Sequence, residues 1–289
     1  MSITRHDSKN PVGRLAADHP GLVKAGRVGW LAKGAVYFIA GILALLIAAK
    51  SSGWSTSSTS GTKEASPTGA LKTVAQSTGG PWLLGVLAVG MLLYAAWRLV
   101  SAALPGDTDA KGWIKRIGFV VSAVIYTSFA VTAFALARSK QAASQTNGNS
   151  TVSKTSGGIM QHTGGRVLIG VVGVVVIGAG IYRIVKAFKR DVNDELDLSG
   201  MSSERRRATE WLGIVGEFGR GLGIGLVGLF LLLAAKNYDP SKATGLDGAL
   251  RTLVTKTGGV LVVIVVGVGF MAYGLFCLTT FTHRRLEAP

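Results

Sequence analysis

Residues 78–99 read "TGGPWLLGVLAVGMLLYAAWRL", residues 163–184 "TGGRVLIGVVGVVVIGAGIYRI" and residues 257–278 "TGGVLVVIVVGVGFMAYGLFCL". Each is a Thr-Gly-Gly followed by some twenty apolar residues, and each closes on an aromatic residue. The hydrocarbon core of a bilayer is about 30 Å thick and needs roughly 20 apolar residues to be crossed as a helix. Three more runs of this length precede or separate these, giving six candidate spans at about 28–49, 82–103, 113–137, 165–188, 211–235 and 258–281. Membrane β-strands would be about ten residues long and alternate in polarity. These runs do neither, so helices, which satisfy their own backbone groups, are the expected spanning elements. The composition agrees. Charged residues make up 16% of the 289 residues, against roughly a quarter in soluble domains, and mean hydropathy is +0.40.

The spans fall into a repeat. Gly29, Gly118 and Gly216 align at the starts of the first, third and fifth spans, and Tyr37 and Tyr126 follow at the same offset. Gly80, Gly165 and Gly259 align at the starts of the other three, and Trp97-Arg98, Tyr182-Arg183 and Phe276-Cys277 at their far ends. The unit is helix, loop, helix, three times over. Because each unit crosses twice, all copies face the same way, which predicts parallel repeats about an axis along the membrane normal. The expected fold is an all-α integral membrane protein: six transmembrane helices in three tandem two-helix repeats, arranged as a pseudo-threefold bundle. The division expected is a polar N-terminal segment 1–23, repeats at 24–104 and 105–189, a charged linker 190–209, a third repeat 210–282, and a tail 283–289.

The pattern resembles an actinobacterial membrane family known as domain of unknown function 1206. The matching residues are "GWLAKGAVY" (29–37), "GAL" (69–71), Gly79-Gly80 and Trp97-Arg98, then "GFVVSAVIY" (118–126) and Tyr182-Arg183, and a second "GAL" (248–250). The middle copy lacks the lysine and the Gly-Ala-Leu, and the third has Cys277 in place of arginine. The resemblance implies a six-helix bacterial membrane protein and brings no reaction with it.

Orientation is read from lysine and arginine. The N-terminus, the second and fourth connections and the C-terminus carry 18 of them, and the other three loops 11 over a greater length. The positive-inside rule then puts both termini in the cytoplasm of a plasma membrane, with no removable signal peptide expected in the polar first 27 residues. The loops expected outside, "SSGWSTSSTSGT" and "SQTNGNSTVSKTSGG", read as flexible, and the latter holds a glycosylation-type Asn149-Ser150-Thr151 triplet. "PTGALKTVAQSTGG" and "LDGALRTLVTKTGG" read as short amphipathic helices at the outer surface, with "GGIMQHTGG" a turn shorter. The fourth connection ends in "ERRRATEW", read as a surface helix with Ser203 as its N-cap. The net charge of +16 fits topology and anionic headgroups better than nucleic acid, because no aromatics interleave with the basic residues.

Little chemistry is legible. His6, His19, His162 and His283 have no second ligand at metal spacing, the single Cys277 can form no internal disulfide, and no nucleotide-binding loop is present. No catalytic, cofactor or metal residue is expected, and no enzymatic activity. Gly219/Gly223, Gly221/Gly225 and Ala40/Ala44/Ala48 are small-residue pairs suited to close helix packing. Lys33, Glu217 and Arg220 lie inside apolar spans. Repeat alignment puts Lys33, Ser122 and Arg220 in one tier and Trp30, Phe119 and Glu217 in the next. Intramembrane charges mark either function or a structural pairing; a trio in which Glu217 lies between Lys33 and Arg220 is expected. Trp97, Arg98, Tyr182 and Arg183 are expected to anchor the helices at the cytoplasmic interface, or alternatively to form a phosphate or headgroup site. Expected partners are the bilayer, its anionic headgroups and another membrane protein. The function expected is that of a structural or accessory protein, with a small-solute transporter or channel as the alternative.

Overall fold

A computed structural model describes residues 20–53, 64–103, 110–138, 148–189 and 202–281. Among these residues there are nine α-helices, one short 3₁₀ turn at Pro240–Lys242, and no strand. The helices are α1 (Pro20–Ser51), α2 (Pro67–Ala75), α3 (Gly80–Ala103), α4 (Ala110–Arg138), α5 (Gly148–Met160), α6 (Gly165–Phe188), α7 (Ser203–Asn237), α8 (Leu246–Val254) and α9 (Gly259–Thr280). Six of them, α1, α3, α4, α6, α7 and α9, are long and apolar enough to cross a membrane. The short helices α2, α5 and α8 precede α3, α6 and α9, one per repeat.

The Thr-Gly-Gly motif builds the same turn three times. Gly79, Gly164 and Gly258 take φ of +77°, +80° and +75°, a left-handed conformation in which a side chain is strained. The next glycine donates its N–H to the carbonyl three residues back, 2.9 Å away in every copy, from Gly80 to Ser77, Gly165 to His162 and Gly259 to Lys256. A Cβ on that second glycine would lie 2.0 Å or less from the carbonyl oxygen of Val74, Ile159 or Leu253. The pair therefore lets the short helix press against the first turn of the span that follows.

Two local expectations change. The middle copy's segment is a 13-residue helix, α5, over residues expected to be a flexible loop, and Asn149-Ser150-Thr151 lies in its first turns. The "ERRRATEW" segment is the opening of α7 itself, with Ser202 at the N-cap position and Glu204 in the first turn. At 35 residues α7 is roughly 52 Å long, more than a bilayer core requires, so its exposed, charged start projects from one end. The polar N-terminal residues up to 19, residues 190–201 of the linker and the tail from 282 lie outside the described residues.

The spans meet in cyclic order. Each repeat's second helix packs on the next repeat's first, α3 on α4, α6 on α7 and α9 on α1. Two junctions use glycines seven apart, Gly173 and Gly180 with Gly221 and Gly228, and Gly267 and Gly274 with Gly34 and Gly41; at the matching positions of the α3–α4 junction stand Ala88, Ala95, Ala123 and Ala130. All twelve are buried. A Cβ on Gly180 would lie 2.7 Å from the Gly221 oxygen, and one on Gly274 2.7 Å from the Gly34 oxygen. Such contacts bring backbones together where hydrophobicity cannot, since lipid tails are as apolar as the helices.

Inside the repeats the symmetry breaks. Helices α1 and α3 pack together, as do α7 and α9, whereas α4 and α6 do not pack along one another among the described residues. The cause is local. In the outer repeats the hairpin crosses at Ala32/Gly90 and Gly219/Gly269, where an added Cβ would meet its neighbour at 2.9 Å and 2.5 Å respectively. In the register of the repeat, Val121 and Val175 take these positions in the middle copy, and both are more than half exposed. The neighbouring positions differ in the same way. Val36 on α1 is 3% exposed and its counterpart Ile125 on α4 44%; Leu87 and Val266 are 5% and 0% exposed and their counterpart Val172 39%. The ring of six helices is thus closed between repeats and open within the middle one.

Candidate functional site

Towards the end of the bundle opposite the short helices, the spans change from aliphatic to aromatic and charged. Glu217 on α7 is the hub. Its Oε1 accepts from Arg220 Nη1 at 2.9 Å, one turn along the same helix, and its Oε2 accepts from Arg183 Nη1 of α6 at 2.8 Å. The Arg220 guanidinium lies over the rings of Tyr273, at 4.0 Å, and Tyr37, at 5.0 Å. Its Nε is buried without a hydrogen-bond partner.

Lys33 on α1 occupies an aromatic box beside this triad. Its ammonium lies 4.5 Å from the Trp30 ring, 5.0 Å from Tyr94, 5.3 Å from Tyr273 and 5.4 Å from Tyr126, and it donates to Tyr94 Oη at 3.3 Å. The same phenol oxygen accepts from Arg98 Nε and Nη2 at 3.0 and 2.7 Å. The Arg98 guanidinium stacks over Phe119, 5.0 Å away on the next repeat's first helix. Ring faces carry negative potential and stabilise cations where water is excluded. That accounts for a lysine only 4% exposed with no carboxylate bound to it.

The expected trio of Lys33, Glu217 and Arg220 is therefore brought to one region but not into one contact. Glu217 and Arg220 form an ion pair, while Lys33 shares the Tyr273 ring with Arg220 and takes no part in the carboxylate's pairing. Ser122, the third member of the tier, keeps its hydroxyl on the Gly118 carbonyl at 2.8 Å. Of the expected anchors, Tyr182 is exposed and Trp97 is buried. Arg98 and Arg183 donate to Tyr94, one turn back on the same helix, and to Glu217 of the neighbouring helix α7. Cys277, at the equivalent position of the third copy, is buried against Gly34.

The box itself was missed in the sequence, although a signal existed. Tyr94 and Tyr273 occupy the same position of the repeat, with Ala179 between them in the middle copy. Among the described residues the region brings together Lys33, Arg98, Arg183 and Arg220 with one carboxylate, both of whose oxygens accept from arginines. Among the described residues no three of His, Cys, Asp and Glu converge as metal ligands would.

Three copies of a two-span hairpin, joined in cyclic order around buried charges, define a multi-pass α-helical membrane protein. The chain belongs to the family described as Domain of Unknown Function (DUF1206), whose model matches three segments, 28–104, 117–190 and 215–280. It is 28% identical over 272 residues to the uncharacterized protein YxxB of Bacillus subtilis (strain 168), a match covering 92% of this chain and 93% of that protein. Chains like this one are therefore not confined to actinobacteria. No solved structure matches it.

Proposed function

We propose that this protein is a non-enzymatic structural or accessory component of the plasma membrane, packing against lipid or another membrane protein, with both termini in the cytoplasm. The observation that carries this reading is the filling of the bundle. Leu43, Leu84, Leu136, Val263 and Leu250, from five different helices, belong to one apolar cluster and are at most 3% exposed. The cluster fills the space among α1, α3, α4, α8 and α9, which supports a packed core there over a polar path. The one carboxylate of the charged region commits both oxygens to arginines, which supports a structural pairing over a catalytic acid or base.

Gentle detergent purification tests the role. A stoichiometric co-purifying lipid or protein is the expected result. Solute or proton flux by the purified chain in liposomes would instead make it a transporter. Reporter fusions test the orientation, which rests on the asymmetry of lysine and arginine. Fusions after Ser58, Thr108, Asn147, Ser199 and Ala243 should alternate out, in, out, in, out, and two adjacent sites on one side would refute it.

A further inference from the structure

We propose that one side-chain match at each junction between repeats selects which second helix packs on which first helix, and so sets the cyclic order of the hairpins. The matches are Arg98 with Phe119, Arg183 with Glu217, and the Cys277–Thr280 turn of α9 with Trp30. Backbone fit alone does not set that order. The α6–α7 and α9–α1 junctions share one register. A Cβ on Gly221 would meet the Gly180 oxygen at 2.7 Å, and one on Gly34 the Gly274 oxygen at 3.0 Å. One on Gly228 would meet the Gly173 oxygen at 2.8 Å, and one on Gly41 the Gly267 oxygen at 2.7 Å. By these glycines α6 and α9 are interchangeable. The connection between α6 and α7, residues 189–202, does not decide either, because a chain of that length reaches about 45 Å when extended, several helix diameters of about 10 Å.

What tells the two junctions apart lies one turn along. One turn before Gly221 and Gly34 stand Glu217 and Trp30, and one turn after Gly180 and Gly274 stand Arg183 and Cys277. In the first junction Arg183 Nη1 donates to Glu217 at 2.8 Å. In the second, Trp30 Nε1 donates to Thr280 Oγ1 at 3.3 Å, and Cys277 and Thr280 are fully buried. At the matching place between α3 and α4, the Arg98 guanidinium lies over the Phe119 ring at 5.0 Å. Exchanging α6 and α9 would spoil both glycine junctions. Glu217 would lose Arg183 and face a thiol. Arg183 would come against Trp30, whose ring already carries the Lys33 ammonium at 4.5 Å. A buried charge stripped of its partner is strongly destabilising, and intramembrane charges are costly to begin with. The exchanged order is disfavoured although its backbone contacts are as good.

The test moves the arginine–glutamate match into the α9–α1 junction of the full chain and reads thermal unfolding in detergent. Cys277→Arg sets a cation against Trp30, and Trp30→Glu removes a buried ring. Each alone should lower the melting temperature. Together they recreate the α6–α7 match, with Lys33 one turn after the carboxylate as Arg220 is one turn after Glu217, and the smaller side chain at position 30 makes room for the larger one at 277. The double variant should melt above either single variant, by about 5 °C or more. Losses that simply add, an unchanged melting temperature in Cys277→Arg, or a double variant that aggregates would overturn the proposal. Because that junction is buried, the α3–α4 junction supplies a second arm, at a half-buried ring. Phe119→Glu should fold, and Arg98→Gln should then lower the melting temperature more than it does in the parent protein. Equal losses in the two backgrounds would overturn the proposal as well.

Discussion

Glu217→Gln lowers the melting temperature of the detergent-solubilised protein more than any other single change to the charged region. The carboxylate holds two guanidinium groups, one on each oxygen, at 2.9 and 2.8 Å. Removing its charge leaves both arginines facing a neutral amide in a poorly solvated place. Breaking a buried pair in this way costs about 3–5 kcal/mol. The second-site pattern discriminates further. In the Glu217→Gln background, Arg220→Met should restore much of the loss, because it removes the more buried of the two orphaned cations. Lys33→Met should restore little, because Lys33 is held by aromatic rings and Tyr94 and is not in the carboxylate's pairing. Thermal unfolding of the three variants side by side decides the matter. Equal stability of Glu217→Gln and the parent protein, or rescue by Lys33→Met alone, would show that the ion pairs are not what fixes helix α7.

An equally large effect is expected at the hairpin crossing of the third repeat. Gly269→Ala places a methyl group 2.5 Å from the Gly219 Cα. No side chain can move aside there, since the obstacle is backbone, and the two helices must separate. Overpacking of this kind costs about 3 kcal/mol or more, at the upper end of its usual range. The contrasting change is Gly118→Ala in the middle repeat, where a Cβ meets nothing within 4 Å. It should be neutral or slightly stabilising, since alanine favours the helix by about 0.8–1.0 kcal/mol over glycine. Unfolding of both variants in detergent tests the open hairpin directly. Similar losses at the two positions would mean that the middle hairpin closes as the outer ones do.

The same two regions show how far the residues could be read one at a time. The six spans and their threefold repetition were legible because insertion is nearly additive along the chain. Each run of apolar residues satisfies its own backbone and needs no knowledge of its neighbours. The Thr-Gly-Gly turns were legible for a similar reason, since the left-handed conformation of Gly79, Gly164 and Gly258 is a local demand. Arg98 and Arg183 were not legible in this way. An arginine after an aromatic residue at a helix end has the same local appearance whether it snorkels to water or turns inward. The outcome depends on whether the next repeat presents a phenylalanine or a glutamate at that depth, as Phe119 and Glu217 do.

What the sequence determined by itself is the class of molecule: an all-helical membrane protein of three tandem hairpins, with charges inside its spans. What only the tertiary structure decided is which charges meet and where the ring stays open. Val121 and Val175 are unremarkable residues for a membrane helix, 54 positions apart in the chain. They stand at the repeat positions where the other two copies have glycine or alanine and their hairpins cross. Helix contacts in lipid depend on the fit of two surfaces at a few tenths of an ångström, and that fit belongs to the pair and to neither helix alone.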